Sequence, residues 1–88
     1  MRLDLFLKRT GLIKQRASAK EACEKGLVRM DGRGAKAGKL VAAGSLLTLE
    51  VADGFLEIEI TGLPLRNYKR TDGEAFYRVR EKRHKDVE

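Results

Sequence analysis

The chain has 88 residues, with 19 Lys and Arg against 13 Asp and Glu for a net charge of +6, 42% hydrophobic residues, no Trp and one Cys. That length accommodates one small domain with a tail and excludes a catalytic domain with its own core beside it. A single cysteine excludes a disulfide framework and a cysteine zinc cluster, so burial must hold the core and a reducing cytoplasm suits the composition.

The opening MRLDLFLKRTGLIK interrupts every apolar run with a charge, which leaves neither a signal-peptide core nor a membrane span. Charge is unevenly spread. Residues 1–40 hold 11 basic and 4 acidic side chains, residues 41–65 none and 4, and residues 66–88 hold 8 and 5. Basic ends flanking an acidic middle point to a polyanion partner.

In residues 2–10, Leu3, Phe6, Leu7 and Thr10 form one stripe of a short helix, with Asp4 and Lys8 on a second face and Arg2 and Arg9 on a third. Gly11 ends it. A second helix is expected from about Gln15 to Lys25, with Ala19, Ala22 and Cys23 inside and Gly26 placed for a left-handed cap. Small residues on that stripe imply close packing. Leu27 to Met30 reads as a short strand, Asp31-Gly32 as a tight turn, and Arg33 to Lys39 as a loop or irregular strand.

After a turn at Val41 to Ser45, the clearest strand pair runs from Leu46 to Val51 and from Phe55 to Ile60. In the second of these, Leu56, Ile58 and Ile60 alternate with Glu57 and Glu59, which gives one buried and one wet, acidic face. Pro64 marks a boundary. Thr71 to Glu74 fits a capping box, predicting a C-terminal helix over about 72–84 that is solvated or frayed from Arg80 onward. The expected organisation is a domain over residues 1–65 and a basic C-terminal helix and tail over 66–88.

Nothing in the chain assembles into catalytic machinery. His84 lies in a charged terminal run, Cys23 on an apolar stripe, and Glu57 and Glu59 on an outer strand face, so no catalytic residue, cofactor or metal site is expected. The positive signal surrounds the second helix. Arg16 and Lys20 are four residues apart, Lys14 precedes them, and the helix N-terminus adds its own preference for anions.

The order Arg2-Leu3-Asp4, Phe6-Leu7, Arg16, Ala19, Cys23, Gly26, Val28, Asp31-Gly32, Lys36, Val41 and Gly44 resembles the small RNA-binding domain named after ribosomal protein S-four. The likeness covers residues 1–51. Gln15 stands where the family usually has Ser, Met30-Asp31 where it has Val-Asn, and Ser45 where it has Asp. The resemblance implies an α+β domain with two N-terminal helices packed on a short, mostly antiparallel sheet.

Small stand-alone members of this family are implied to bind rRNA of the large ribosomal subunit, and peptidyl-tRNA on it, when the subunit is obstructed. One group supports Ala tailing of the stalled chain with an RqcH-like protein; a heat-shock group recycles large subunits. The expected RNA-binding residues are Arg2, Lys8, Arg9, Lys14, Arg16, Lys20, Arg29, Arg33, Lys36 and Lys39, with Asp4 holding a nearby cation in place. A cytoplasmic monomer that is not an enzyme and does not touch membranes is the expectation. A basic protein-interaction module remains the alternative of a different class.

Overall fold

The computed structural model describes residues 1–51, 54–64 and 75–84. Among the described residues two helices, α1 (Leu3–Arg9) and α2 (Arg16–Glu24), precede five strands: β1 (Val28–Met30), β2 (Arg33–Gly34), β3 (Leu46–Val51), β4 (Gly54–Ile60) and β5 (Tyr77–His84). The strands form one sheet in the order β2-β1-β3-β4-β5, and every pairing is antiparallel.

Each element follows from a local cause. The α1 stripe is buried in full, with Leu3, Phe6 and Leu7 at 0% exposure and Thr10 donating its hydroxyl to the Phe6 carbonyl at 2.8 Å. That bond occupies a hydroxyl that would otherwise be buried without a partner. On α2, Ala19 and Cys23 are buried and Ala22 is half-buried, so the helix backbone approaches α1 closely. α2 stops at a Schellman cap. Gly26, at φ +75°, donates to the Cys23 carbonyl, and Leu27 donates to the Ala22 carbonyl.

The β1–β2 connection places both Asp31 (φ +52°) and Gly32 (φ +84°) in the left-handed region, as a two-residue type I′ turn requires. The Asp31 N–H donates to the Leu46 carbonyl and an Asp31 carboxylate oxygen accepts from the Leu46 N–H, which ties the turn to the start of β3. Leu47 and Leu49 of β3 and Ile58 and Ile60 of β4 complete the core under the helices.

One expectation is overturned. Residues 77–84, read as part of a C-terminal helix frayed beyond Arg80, form β5 and pair with β4 along its whole length, from Tyr77 opposite Ile60 to His84 opposite Gly54. The capping-box residues 71–74 lie outside the described residues. Without β5 the backbone of β4 would be left as a bare edge, and Tyr77 and Val79 have the period-two spacing that places them opposite Ile60 and Ile58. Arg78 and Arg80 reach Glu59 at 3.1 and 3.3 Å. The acidic outer face of β4 is therefore partly neutralised by its neighbouring strand. An irregularity between Glu57 and Ile58 resets the register so that Glu81 faces Glu57.

Candidate nucleic-acid interface

The site begins with how the first residues are fixed. The segment from Ala37 to Val41 runs alongside them. Leu3 donates to the Lys39 carbonyl at 2.8 Å, Asp4 to the Ala37 carbonyl at 3.1 Å, and Val41 to the Met1 carbonyl at 2.9 Å. Arg2 and Leu40 form an antiparallel bridge. The 36–39 stretch closes on itself as a turn, with the Lys39 N–H donating to the Lys36 carbonyl. Lys36 and Lys39 are thus positioned beside Arg2, whose guanidinium would lie 3.7 Å from a Cβ added at Gly38.

Arg2 is joined in turn to α2. The Asp4 carboxylate accepts from Arg2 Nε at 3.2 Å, from Arg16 Nε at 3.1 Å and from the Leu5 N–H at 2.8 Å. Its side chain is 0% exposed, whereas those of Arg2 and Arg16 are 47% and 42% exposed. Burial pushes this carboxyl up, but the Arg16 bond, the Leu5 N–H and the two positive charges outweigh it and hold the group below its usual range. A buried carboxylate therefore clamps two half-exposed guanidiniums through their Nε edges. Arg16 makes no bond through its terminal amino groups among the described residues, and its side chain is 42% exposed.

The other expected residues divide into two sets. Lys14 precedes α2 and Lys20 lies one turn beyond Arg16; both are exposed. The first turn of α2 contains no acidic residue of its own, and its N-cap, Gln15, makes no side-chain bond to it; the Asp4 carboxylate is the acid beside it. Arg33 lies with Lys36 and Lys39 around a hollow. The Asp4 bonds and the approach of Arg2 to Gly38 thus bring Arg2, Arg16, Lys36 and Lys39 together, with Arg33 on the same hollow, while Lys14 and Lys20 flank Arg16 in sequence as exposed side chains.

Arg9 and Arg29 are engaged elsewhere, and Lys8 makes no side-chain bond among the described residues. Lys8 is exposed in the last turn of α1. Arg9 donates to the Pro64 carbonyl at 3.0 Å, which fastens the segment after β4 to α1. Arg29 alternates with buried Val28 and Met30, and so faces away from the helices, in a groove with Thr48, Glu50 and Phe55. Phe55 also carries the Arg83 guanidinium at 5.6 Å from its ring centre.

Sequence reasoning missed two features of this surface. Leu40 is 67% exposed beside Lys39 and Arg2; its signal was the extended Leu40-Val41 pair, in which only Val41 can face the core. The arginines of β5 were placed on a helix instead of a strand. Cys23, by contrast, is an ordinary core thiol, pushed up by burial and by the nearby Asp4 and Glu24 charges, and so is a poor nucleophile. Among the described residues no three His, Cys, Asp or Glu side chains converge to hold a metal ion, and no helix is long and apolar enough to cross a membrane.

Comparison with known proteins decides the family. The S4 domain profile matches residues 1–47, more than half of the chain. The chain belongs to the S4 domain family. A relative from Halalkalibacterium halodurans named RQC P-site tRNA stabilizing factor is 38% identical over 80 residues, covering 91% of this chain and 90% of the relative. One of the same name from Helicobacter pylori is 39% identical over 77 residues, covering 86% and 92%. The trimeric structure of heat shock protein 15 from Vibrio cholerae superposes with a TM-score of 0.81 at 29% identity, over 90% of this chain and 80% of that one. The matched span contains both helices, β1, β2 and the start of β3, and with them the Asp4 clamp and the 36–39 turn.

Proposed function

We propose that this protein is an RNA-binding factor of the RqcP type, which binds rRNA and tRNA on obstructed large ribosomal subunits during ribosome-associated quality control. The observation that carries this reading is the Arg2–Asp4–Arg16 clamp, which fixes two half-exposed guanidiniums beside the Lys36–Lys39 turn. Full-length similarity to proteins named for stabilising P-site tRNA supports the choice of RNA and of the ribosome. Planar guanidiniums can fork onto phosphate oxygens or stack on a base.

Within this reading these basic residues contact phosphates, and recognition is by shape and backbone more than by base sequence. Arg16 contributes most, because its position is fixed and its side chain is half-exposed. The protein acts without catalysis, as a cytoplasmic monomer. It supports Ala tailing by keeping peptidyl-tRNA placed for an RqcH-like partner. The likeness to heat shock protein 15 supports a second reading, a factor that recycles obstructed large subunits by the same RNA contacts.

Co-sedimentation with large subunits, empty or carrying peptidyl-tRNA, at two salt concentrations tests the proposal. Binding that is stronger to the peptidyl-tRNA-bearing subunit and weakened by salt supports it. Absence of binding to either subunit refutes it and favours the protein-interaction module.

A further inference from the structure

Between the β1–β2 hairpin and the 36–39 turn lies a hollow of about 900 Å³, within the size range of small-ligand sites. We propose that it takes a single unstacked nucleotide of the bound RNA, an inference that rests on the RNA-binding reading above.

Its lining combines what a phosphate and a base each need. Arg33, Lys36 and Lys39 supply positive charge, and none of the three is ion-paired among the described residues. Met30, 7% exposed, supplies an apolar, polarizable contact suited to the face of a ring. Gly34 and Gly38 contribute bare backbone to its wall. The one acid in the lining, Asp31, has a carboxylate oxygen bonded to the Leu46 N–H.

The hollow is preformed. Ala35 donates to the Val28 carbonyl, Lys39 to Lys36 and Leu3 to Lys39, so both walls are fixed by backbone bonds. It is also continuous with the guanidinium clamp, since Arg2 lies over Gly38. A base-paired strand would present only phosphates to the cations and leave the space around Met30 empty. An unpaired nucleotide fills both, and the cost of unstacking is least at a bulge or loop.

The test uses the full-length protein and three RNA hairpins of equal length: fully paired, with one bulged 2-aminopurine, and with one abasic bulge. The bulged hairpin is expected to bind about tenfold more tightly than the other two. Its fluorescence should rise on binding, because the base leaves the stack and no aromatic side chain lines the hollow to quench it. Met30→Ala, which removes the apolar contact, should bind the base-bearing bulge with no more than its affinity for the abasic one. AMP should not saturate the wild type below millimolar concentration.

Equal wild-type affinity for all three hairpins overturns the nucleotide site and leaves the RNA-binding reading standing. Binding to none of them overturns both. Micromolar AMP binding without preference for the bulge assigns the hollow to a free nucleotide instead. The comparison of base-bearing and abasic bulges on wild type decides the matter even if Met30→Ala fails to fold.

Discussion

Asp4 and Arg16, twelve residues apart and on different helices, are joined by a 3.1 Å bond in which the acid is wholly buried and the base is half-exposed. The value of this bond lies in fixing a cation that a free side chain would leave to wander. Asp4→Ala should therefore lower RNA affinity more than stability, with a loss of about 1–2 kcal/mol in unfolding free energy from the unanswered hydrogen bonds. Asp4→Asn keeps an acceptor and should fall between Asp4→Ala and wild type. Affinity titration beside chemical denaturation checks this; a variant with full RNA affinity would mean that the clamp does not position the interface.

Arg16→Ala should cost about ten- to a hundredfold in affinity for large subunits, from loss of a charge-assisted contact of roughly 1.5–3 kcal/mol. Its melting temperature should fall modestly, because the buried Asp4 loses one donor and keeps Arg2 and the Leu5 N–H. Arg16→Lys should not restore binding, since an ammonium cannot both satisfy Asp4 and fork onto phosphate. Glu57→Ala, on the sheet face away from the helices, should leave affinity unchanged or slightly improved. A large loss there would show that the outer sheet face is the binding surface.

Much of this arrangement was legible in the sequence, and the exceptions share one physical reason. The α1 stripe, the Gly26 cap, the Asp31-Gly32 turn and the Leu56-Ile58-Ile60 alternation are local signals, and each produces its element. β5 is not local. Its residues Arg78, Arg80, Glu81 and Lys82 read equally well as a solvated helix, and only the open edge of β4, distant in sequence, selects the strand. Arg29 looked like any other cation in the basic half until strand alternation turned it to the opposite face. The burial of Asp4 was hidden similarly: an acid on a short amphipathic helix reads as solvated unless its partners on α2 and the 36–39 segment are known.

Removing the residues from Arg80 onward should destabilise the fold. The cut strips the distal half of the β4–β5 ladder, one of the two arginines on Glu59, and the Arg83–Phe55 contact. A loss on the order of 2 kcal/mol is expected, which for a domain of this size lowers the melting temperature by about 10 °C. A thermal scan that matches full-length protein would show that β5 contributes nothing beyond Val79.

The acid limb of stability should start low. Asp4 and Glu59 are both held below the ordinary carboxylate range, Asp4 because two arginines and the Leu5 N–H outweigh its burial, Glu59 chiefly by its bond to Arg78. A depressed folded-state value means that the contribution is complete above the unfolded value near pH 4 and disappears as pH falls through the lower folded value. Denaturation midpoints should be level from neutral pH to about 4 and then decline. Asp4→Asn should flatten that decline; an identical acid limb in the variant would contradict the charged clamp.

The most direct test of phosphate-led RNA recognition is the salt dependence of affinity for free large-subunit rRNA, tRNA and a random duplex. If the basic residues neutralise about four to six phosphates, log affinity should fall linearly with log salt at a slope of about −3 to −5. Lys14→Ala and Lys20→Ala should each make that slope shallower by just under one unit, to a similar extent for RNAs of the same shape, because a point charge reads phosphate position and not base identity. A flat wild-type profile, or no binding to any of the three RNAs, would contradict the account.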